Sequence, residues 1–116
     1  MLEKRLRLKN PKAFNATYKN SDTVGNRYAV VYRGKKKNDE TQETKVGFVV
    51  SKKYHKRAVK RNRAKRLFSE AYRILLAQKE IEPSQQYMSL IFIIKQACLD
   101  MDFETCKNIT KKLLSE

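Results

Sequence analysis

The longest apolar run in the sequence, Leu-Ile-Phe-Ile-Ile at residues 90–94, sets the scale of what the chain can build. It is far too short to span a bilayer, which takes about 20 apolar residues in a helix. No polar position alternates through it, so residues 87–94 read as a strand covered on both faces, at the centre of a sheet. The rest of the chain must supply the strands and helices that cover it.

Those elements are legible from periodicity and punctuation. Asn10-Pro11 reads as a helix start, with Asn10 as N-cap and Pro11 at the first helical position. The helix runs to about Lys19 with Ala13, Phe14, Thr17 and Tyr18 on one face, and Asn20-Ser21-Asp22 ends it with turn chemistry. Residues 27–33 are rich in β-branched and aromatic side chains and read as a strand, with Tyr28 and Tyr32 on the same side. Residues 34–44 contain no apolar side chain and read as an exposed hairpin loop leading to a returning strand at 45–51. A long helix is predicted over 58–78, its core stripe formed by Ala64, Leu67, Phe68, Ala71 and Leu75, with the break at Pro83-Ser84. Asp102 can cap a last helix whose apolar side carries Phe103, Cys106, Ile109, Thr110 and Leu113.

The order is helix, strand, strand, helix, strand, helix. It suits an α/β (α+β) two-layer sandwich, a small mixed sheet with helices packed on it. No internal repeat or linker divides residues 1–116, so a single domain is expected.

Charge narrows the function. The chain carries 27 Lys and Arg against 12 Asp and Glu, a net +15, which attracts polyanions. Membrane insertion is excluded by the short apolar runs. The N-terminus places charges among its leucines and does not read as a signal peptide, so a cytoplasmic protein is expected. Cys98 and Cys106 form no Cys-x-x-Cys pair and His55 is the only histidine, which leaves too few soft ligands for a metal site.

The charge is also focused. Nine basic residues fall in the 15 positions 52–66 (Lys52, Lys53, Lys56, Arg57, Lys60, Arg61, Arg63, Lys65 and Arg66) with no acidic residue among them. The remaining chain has 18 basic against 12 acidic side chains, only +6. Arg57, Arg61 and Lys65 are spaced by four along one helix face, and Asn62, Arg66, Ser69 and Arg73 continue beside them. An ordinary solvated face mixes signs at i, i+4. This row is better matched to phosphate, which arginine forks grip in bidentate geometry.

The stretch Lys60-Arg61-Asn62-Arg63-Ala64-Lys65-Arg66-Leu67-Phe68-Ser69-Glu70-Ala71-Tyr72-Arg73 resembles the Arg-Asn-Arg signature of the bacterial ribonuclease P protein family. Val49-Val50-Ser51-Lys52-Lys53 matches the strand end leading into that helix, and Arg5-Leu6, Phe14, Tyr18 and Val31-Tyr32 fall at the family's spacings. Three places depart from the pattern: Ser69 stands where Arg is usual, Ser21 where Gly is frequent, and Tyr54-His55 where an apolar-Gly pair is common.

The resemblance implies a division of labour. Lys53, Lys56, Arg57, Lys60, Arg61, Asn62, Arg63, Lys65, Arg66 and Arg73 would face the catalytic RNA. Phe14, Tyr18, Tyr32 and Lys52 would line a cleft for the single-stranded 5′ leader of precursor tRNA, aromatic faces stacking on bases while cations hold the backbone. Read from the residues alone, Phe14 and Tyr18, one helical turn apart, fit a core pair better than a binding site, and Tyr28 or Tyr32 can be a platform or a packing residue. The resemblance further implies endonucleolytic maturation of the tRNA 5′ end with Mg²⁺ held mainly by RNA, no obligate protein partner, and a left-handed crossover where general rules favour a right-handed one.

No catalytic constellation accompanies the charge. Glu40, Glu43, Glu70, Glu80 and Glu82 are scattered, Asp100, Asp102 and Glu104 suit a helix start, and His55 lies among cations that disfavour its protonated form. A protein-only nuclease is thus disfavoured. A ribosomal protein would share the size and charge but needs no aromatic cleft, and a helix-turn-helix protein would place a short helix before the basic one.

Overall fold

The computed structural model describes residues 4–19, 22–38, 43–50, 57–95 and 101–115. Helix α1 (Pro11–Lys19) starts where expected: Asn10 Oδ1 accepts from the Lys12 N–H at 2.9 Å, and Pro11 occupies a position that needs no N–H. Four strands follow the order β1-β2-β4-β3: β1 (Asp22–Gly25), β2 (Ala29–Arg33), β3 (Lys45–Val50) and β4 (Ser89–Ile94). The apolar run is central. Phe92 of β4 lies opposite Val31 of antiparallel β2 and opposite Phe48 of parallel β3. Parallel neighbours need a crossover, and the 20-residue helix α2 (Ala58–Ala77) provides it between β3 and β4. Helix α3 (Phe103–Leu114) closes the described fold.

Four expectations are corrected. Strands β2 and β3 are not a hairpin, because β4 lies between them and hydrogen-bonds to both. The intervening segment is anchored, not wholly solvated: Gly34 and Thr44 are buried, the Gly34 N–H donates to Ser89 O, and Thr44 Oγ1 donates to Tyr87 O at 2.7 Å. A strand absent from the sequence reading, β1, pairs with β2 in register Thr23 to Tyr32. Asp22, taken for the turn, is its first residue. At four residues, mostly exposed, β1 has too little apolar periodicity to announce itself. Finally, Tyr28 and Tyr32 do not share a face. Asn26 Oδ1 accepts from the Tyr28 and Ala29 N–H groups, and this turn breaks the alternation just before β2 begins. Tyr28 packs against the core beneath the Arg27 guanidinium, whereas Tyr32 meets α1.

The core lies on one face of the sheet. Val31, Val46, Leu90, Phe92 and Ile94 pack against Ala64, Phe68, Tyr72 and Leu75 of α2 and Cys106, Ile109 and Leu113 of α3. Leu67, assigned to the stripe, is only half-buried, and Tyr72 takes the deeper place. Burial pushes the Tyr72 hydroxyl up to about 12, and it accepts from Gln85 Nε2 at 3.0 Å. Burial likewise pushes the Cys106 thiol up to about 11, fitting the expectation of a small hydrophobe; Cys98 lies outside the described residues.

Helix α1 rests on the opposite face as a partial third layer. One glycine lets it approach, and a second leaves room for the hydroxyl that anchors it. A Cβ on Gly47 would stand 2.6 Å from the Phe14 ring, and one on Gly34 would stand 2.4 Å from Ser89 Oγ. Ser89 Oγ and Thr17 Oγ1 meet at 2.6 Å and pin the helix to β4.

Candidate nucleic-acid interface

Helices α2 and α3 obey opposite charge rules. In α3, Asp102 accepts from the Thr105 N–H at 2.9 Å, Glu104 sits in the first turn, and Lys111 and Lys112 sit in the last. Each charge there complements the helix dipole. The start of α2 inverts this arrangement. Its N-cap is Arg57, with no side-chain cap bond and no acid in the first turn, and Lys60 and Arg61 follow. Each cation so placed costs roughly 0.3–1 kcal/mol against the dipole. Helix N-terminus and cations together favour an anion at this end.

Along α2, Arg57, Asn62, Arg63, Arg66 and Arg73 are exposed, and Lys60, Arg61 and Lys65 are half-buried. Arg63 Nη2 donates to Met101 O at 3.3 Å, tying the basic helix to the start of α3. Arg73 holds Glu70 through two bonds, Nε to Oε1 at 3.1 Å and Nη2 to Oε2 at 2.9 Å, which keep the Glu70 carboxyl down at about 2. A phosphate reaching Arg73 must compete with that pair. Lys52, Lys53 and Lys56 lie outside the described residues, as do Ser21, Tyr54 and His55.

Asn62, Lys65, Arg66 and Ser69 form one wall of a groove of about 510 Å³ whose other side is Arg7, Lys9 and strand β3. Sequence reasoning missed Arg7 and Lys9. The signal was present: cations at 5, 7 and 9 alternate with Leu6 and Leu8. That period of two suits an extended segment, and Arg7 does bridge to Val46, with Leu8 N–H donating to Val46 O at 3.0 Å.

The four residues assigned to a cleft divide differently. Tyr18, 39% exposed, meets Tyr32 edge to face with ring centroids 5.0 Å apart. Partial burial, then the neighbouring Tyr32, raises the Tyr18 hydroxyl above its ordinary value, so it is neutral at physiological pH. Phe14 lies over Gly47 two strands away, in the same cross-strand row, because Tyr32, Ile91 and Gly47 are in register. Lys52 is outside the described residues. The next row, Val30, Ile93 and Val49, is half-buried and extends the floor beside α1. Lys95 closes its end, with Nζ donating to Asn26 O at 2.9 Å. The sequence suggests that Ile93, within the 87–94 run, is covered on both faces, whereas it is half-buried here.

The arrangement is thus a basic helix face and groove beside an aromatic-edged apolar floor. Among the described residues no helix is long and apolar enough to cross a membrane. The family model for Ribonuclease P matches residues 2–116. The ribonuclease P protein component of Caldanaerobacter subterraneus subsp. tengcongensis is 34% identical over 116 residues, covering 100% of this chain and 92% of its own length. The solved RNase P protein of Staphylococcus aureus aligns with a TM-score of 0.75 at 30% identity, covering 94% of this chain and 92% of that one. The Thermotoga maritima RNase P protein aligns with a TM-score of 0.75 at 25% identity, covering 94% of each chain. A basic helix, an aromatic-edged sheet face and this full-length likeness lead to one conclusion: the chain belongs to the ribonuclease P protein family.

Proposed function

We propose that this chain is the protein subunit of a ribonuclease P holoenzyme, binding the catalytic RNA and the 5′ leader of precursor tRNA to promote maturation of the tRNA 5′ end. The observation that carries the reading is the dipole-inverted start of α2, where Arg57, Lys60 and Arg61 crowd a helix N-terminus without an acid in the first turn. A polyanion relieves that repulsion and is held by it. The groove of Arg7, Lys9, Lys65 and Arg66 extends the same contact to a second phosphate path.

The leader takes the cleft. Tyr18 and Tyr32 offer stacking edges, Phe14 and the Val30, Ile93 and Val49 row offer an apolar floor, and Lys52 and Lys95 supply charge. Such contacts grip a single strand with little demand on its sequence. Hydrolysis belongs to the RNA, with Mg²⁺ held by RNA and substrate phosphate. Among the described residues no group of three or more His, Cys, Asp or Glu side chains stands together to hold a metal ion. The protein's work is screening and grip, in the cytoplasm, without an obligate protein partner.

Cleavage of a 5′-leader precursor tRNA at low Mg²⁺ tests this, using bacterial ribonuclease P RNA, the protein, or both. Cutting at the mature 5′ end by the mixture alone supports the proposal. A mixture no better than RNA alone, or cutting by the protein alone, overturns it.

A further inference from the structure

Helix α1 crosses its face of the sheet as a bar, and the cleft occupies only one flank. On the other flank lies a second cavity of about 560 Å³, lined by Leu8, Ala13, Ala16, Thr17, Lys35, Glu43, Lys45, Met88 and Ser89. Its size is that of a small-molecule site. The sheet register separates the two flanks: Tyr32, Ile91 and Gly47 lie under α1, Val30, Ile93 and Val49 on the cleft side, and Ser89 and Lys45 on this side.

The lining has three parts. Ala13 and Ala16 give α1 a low wall, faced by the thioether of Met88, which packs well against aromatic edges. Behind them stands a hydroxyl pair whose protons are already committed. Thr17 Oγ1 donates to Ala13 O at 2.8 Å, so the proton in its 2.6 Å contact with Ser89 Oγ comes from Ser89. The remaining lone pairs make this an acceptor site, suited to an amino group. At the rim are the exposed Lys35 and Lys45, while the Glu43 carboxylate is held by Arg5. The rim therefore presents positive charge.

From this geometry we infer that the cavity binds a single unstacked RNA nucleotide with an amino-bearing base, separate from the leader cleft. The base enters between Ala16 and Met88, its amino group donates to the Thr17 and Ser89 oxygens, and its phosphate meets Lys35 and Lys45. The inference rests on the RNA-binding reading above. Backbone bonds hold the walls in place: Met88 N–H donates to Lys35 O at 2.8 Å and Lys45 N–H to Met88 O at 3.1 Å.

The test is methyl NMR of the full chain, with Met88, Ala13 and Ala16 reporting this cavity and Val30, Val49 and Ile93 reporting the cleft. Adenosine 5′-monophosphate is expected to shift the cavity methyls saturably, and uridine 5′-monophosphate and inorganic phosphate to do so far more weakly. Ala16→Leu, which fills the slot, should abolish the cavity shifts. The exposed pair Lys35→Ala and Lys45→Ala, with no packing to lose, should weaken them by about tenfold, the combined worth of two exposed ion pairs. Equal shifts from phosphate or the uridine nucleotide, or none from the adenosine nucleotide, overturn the inference. A short oligoadenylate that moves the cleft methyls in the same sample shows that RNA binding itself stands, so the two failures are distinguishable.

Discussion

On the face covered by α2 and α3, Leu90, Phe92 and Ile94 of β4 are all 0% exposed, and Phe92 is gripped between the rings of Phe48 and Phe68. On the opposite face the same strand presents Ser89, Ile91 and Ile93, and only Ile91 is buried. The difference follows from helix length. Nine residues of α1 rise about 13 Å, enough to cross about three strands at 4.8 Å spacing in one row. Two helices of 20 and 12 residues roof most of the first face, with Val24 and Phe48 half-buried on its edge strands. One face holds the molecule together, and the other leaves grooves on both flanks of a short helix seated on a glycine and a hydroxyl pair. Stability and access are thus segregated across a single sheet.

The largest test of that contrast is truncation of the shared central strand on its core side. Phe92→Ala is expected to cost about 3–5 kcal/mol, read from urea unfolding midpoints. A loss below about 1 kcal/mol would mean that this face is not the main source of stability. Gly47→Ala attacks the other face. Its new Cβ meets the Phe14 ring at 2.6 Å, so α1 must lift, at about 1–3 kcal/mol. Because α1 walls the cleft, leader affinity should fall alongside, measured with a fluorescent leader oligonucleotide. Tyr18→Ala sharpens the comparison by separating the two properties. Binding of the single strand should weaken by about 1–3 kcal/mol, one stacked base, while the unfolding midpoint hardly moves. Equal losses in both would make Tyr18 a packing residue.

The smallest effect concerns pH. Hydrogen bonds from Thr105 hold the Asp102 carboxyl below its ordinary value. A carboxyl lowered in the folded state stabilises fully above the unfolded value, and that contribution is lost as pH falls through the folded one. Asp102→Asn keeps a cap acceptor but cannot titrate. The unfolding midpoint of this variant should therefore fall less steeply below about pH 4 than that of the parent, and parallel acid limbs would refute the assignment.

Local features were legible and distant ones were not. The caps at Asn10 and Asp102 and the period of α2 came through because each depends on contacts within a turn or two. Only half of the candidate site was readable. The charge row from Arg57 to Arg66 is contiguous in sequence, whereas Arg7 and Lys9 join its groove only because their segment runs beside β3. The Val30, Ile93 and Val49 floor went unread because an apolar strand residue looks the same beneath a helix or beside one.

By itself the sequence determined the helices, the focused charge and a central apolar strand, since propensity, capping and periodicity act over a few residues. Tertiary structure decided that β4 lies between β2 and β3, that residues 22–25 become an edge strand, and which rows α1 leaves open. Strand partners are joined by backbone hydrogen bonds, which every residue except proline can donate, so the choice among partners is written in no local pattern. It is settled only when burial of the whole sheet is counted at once.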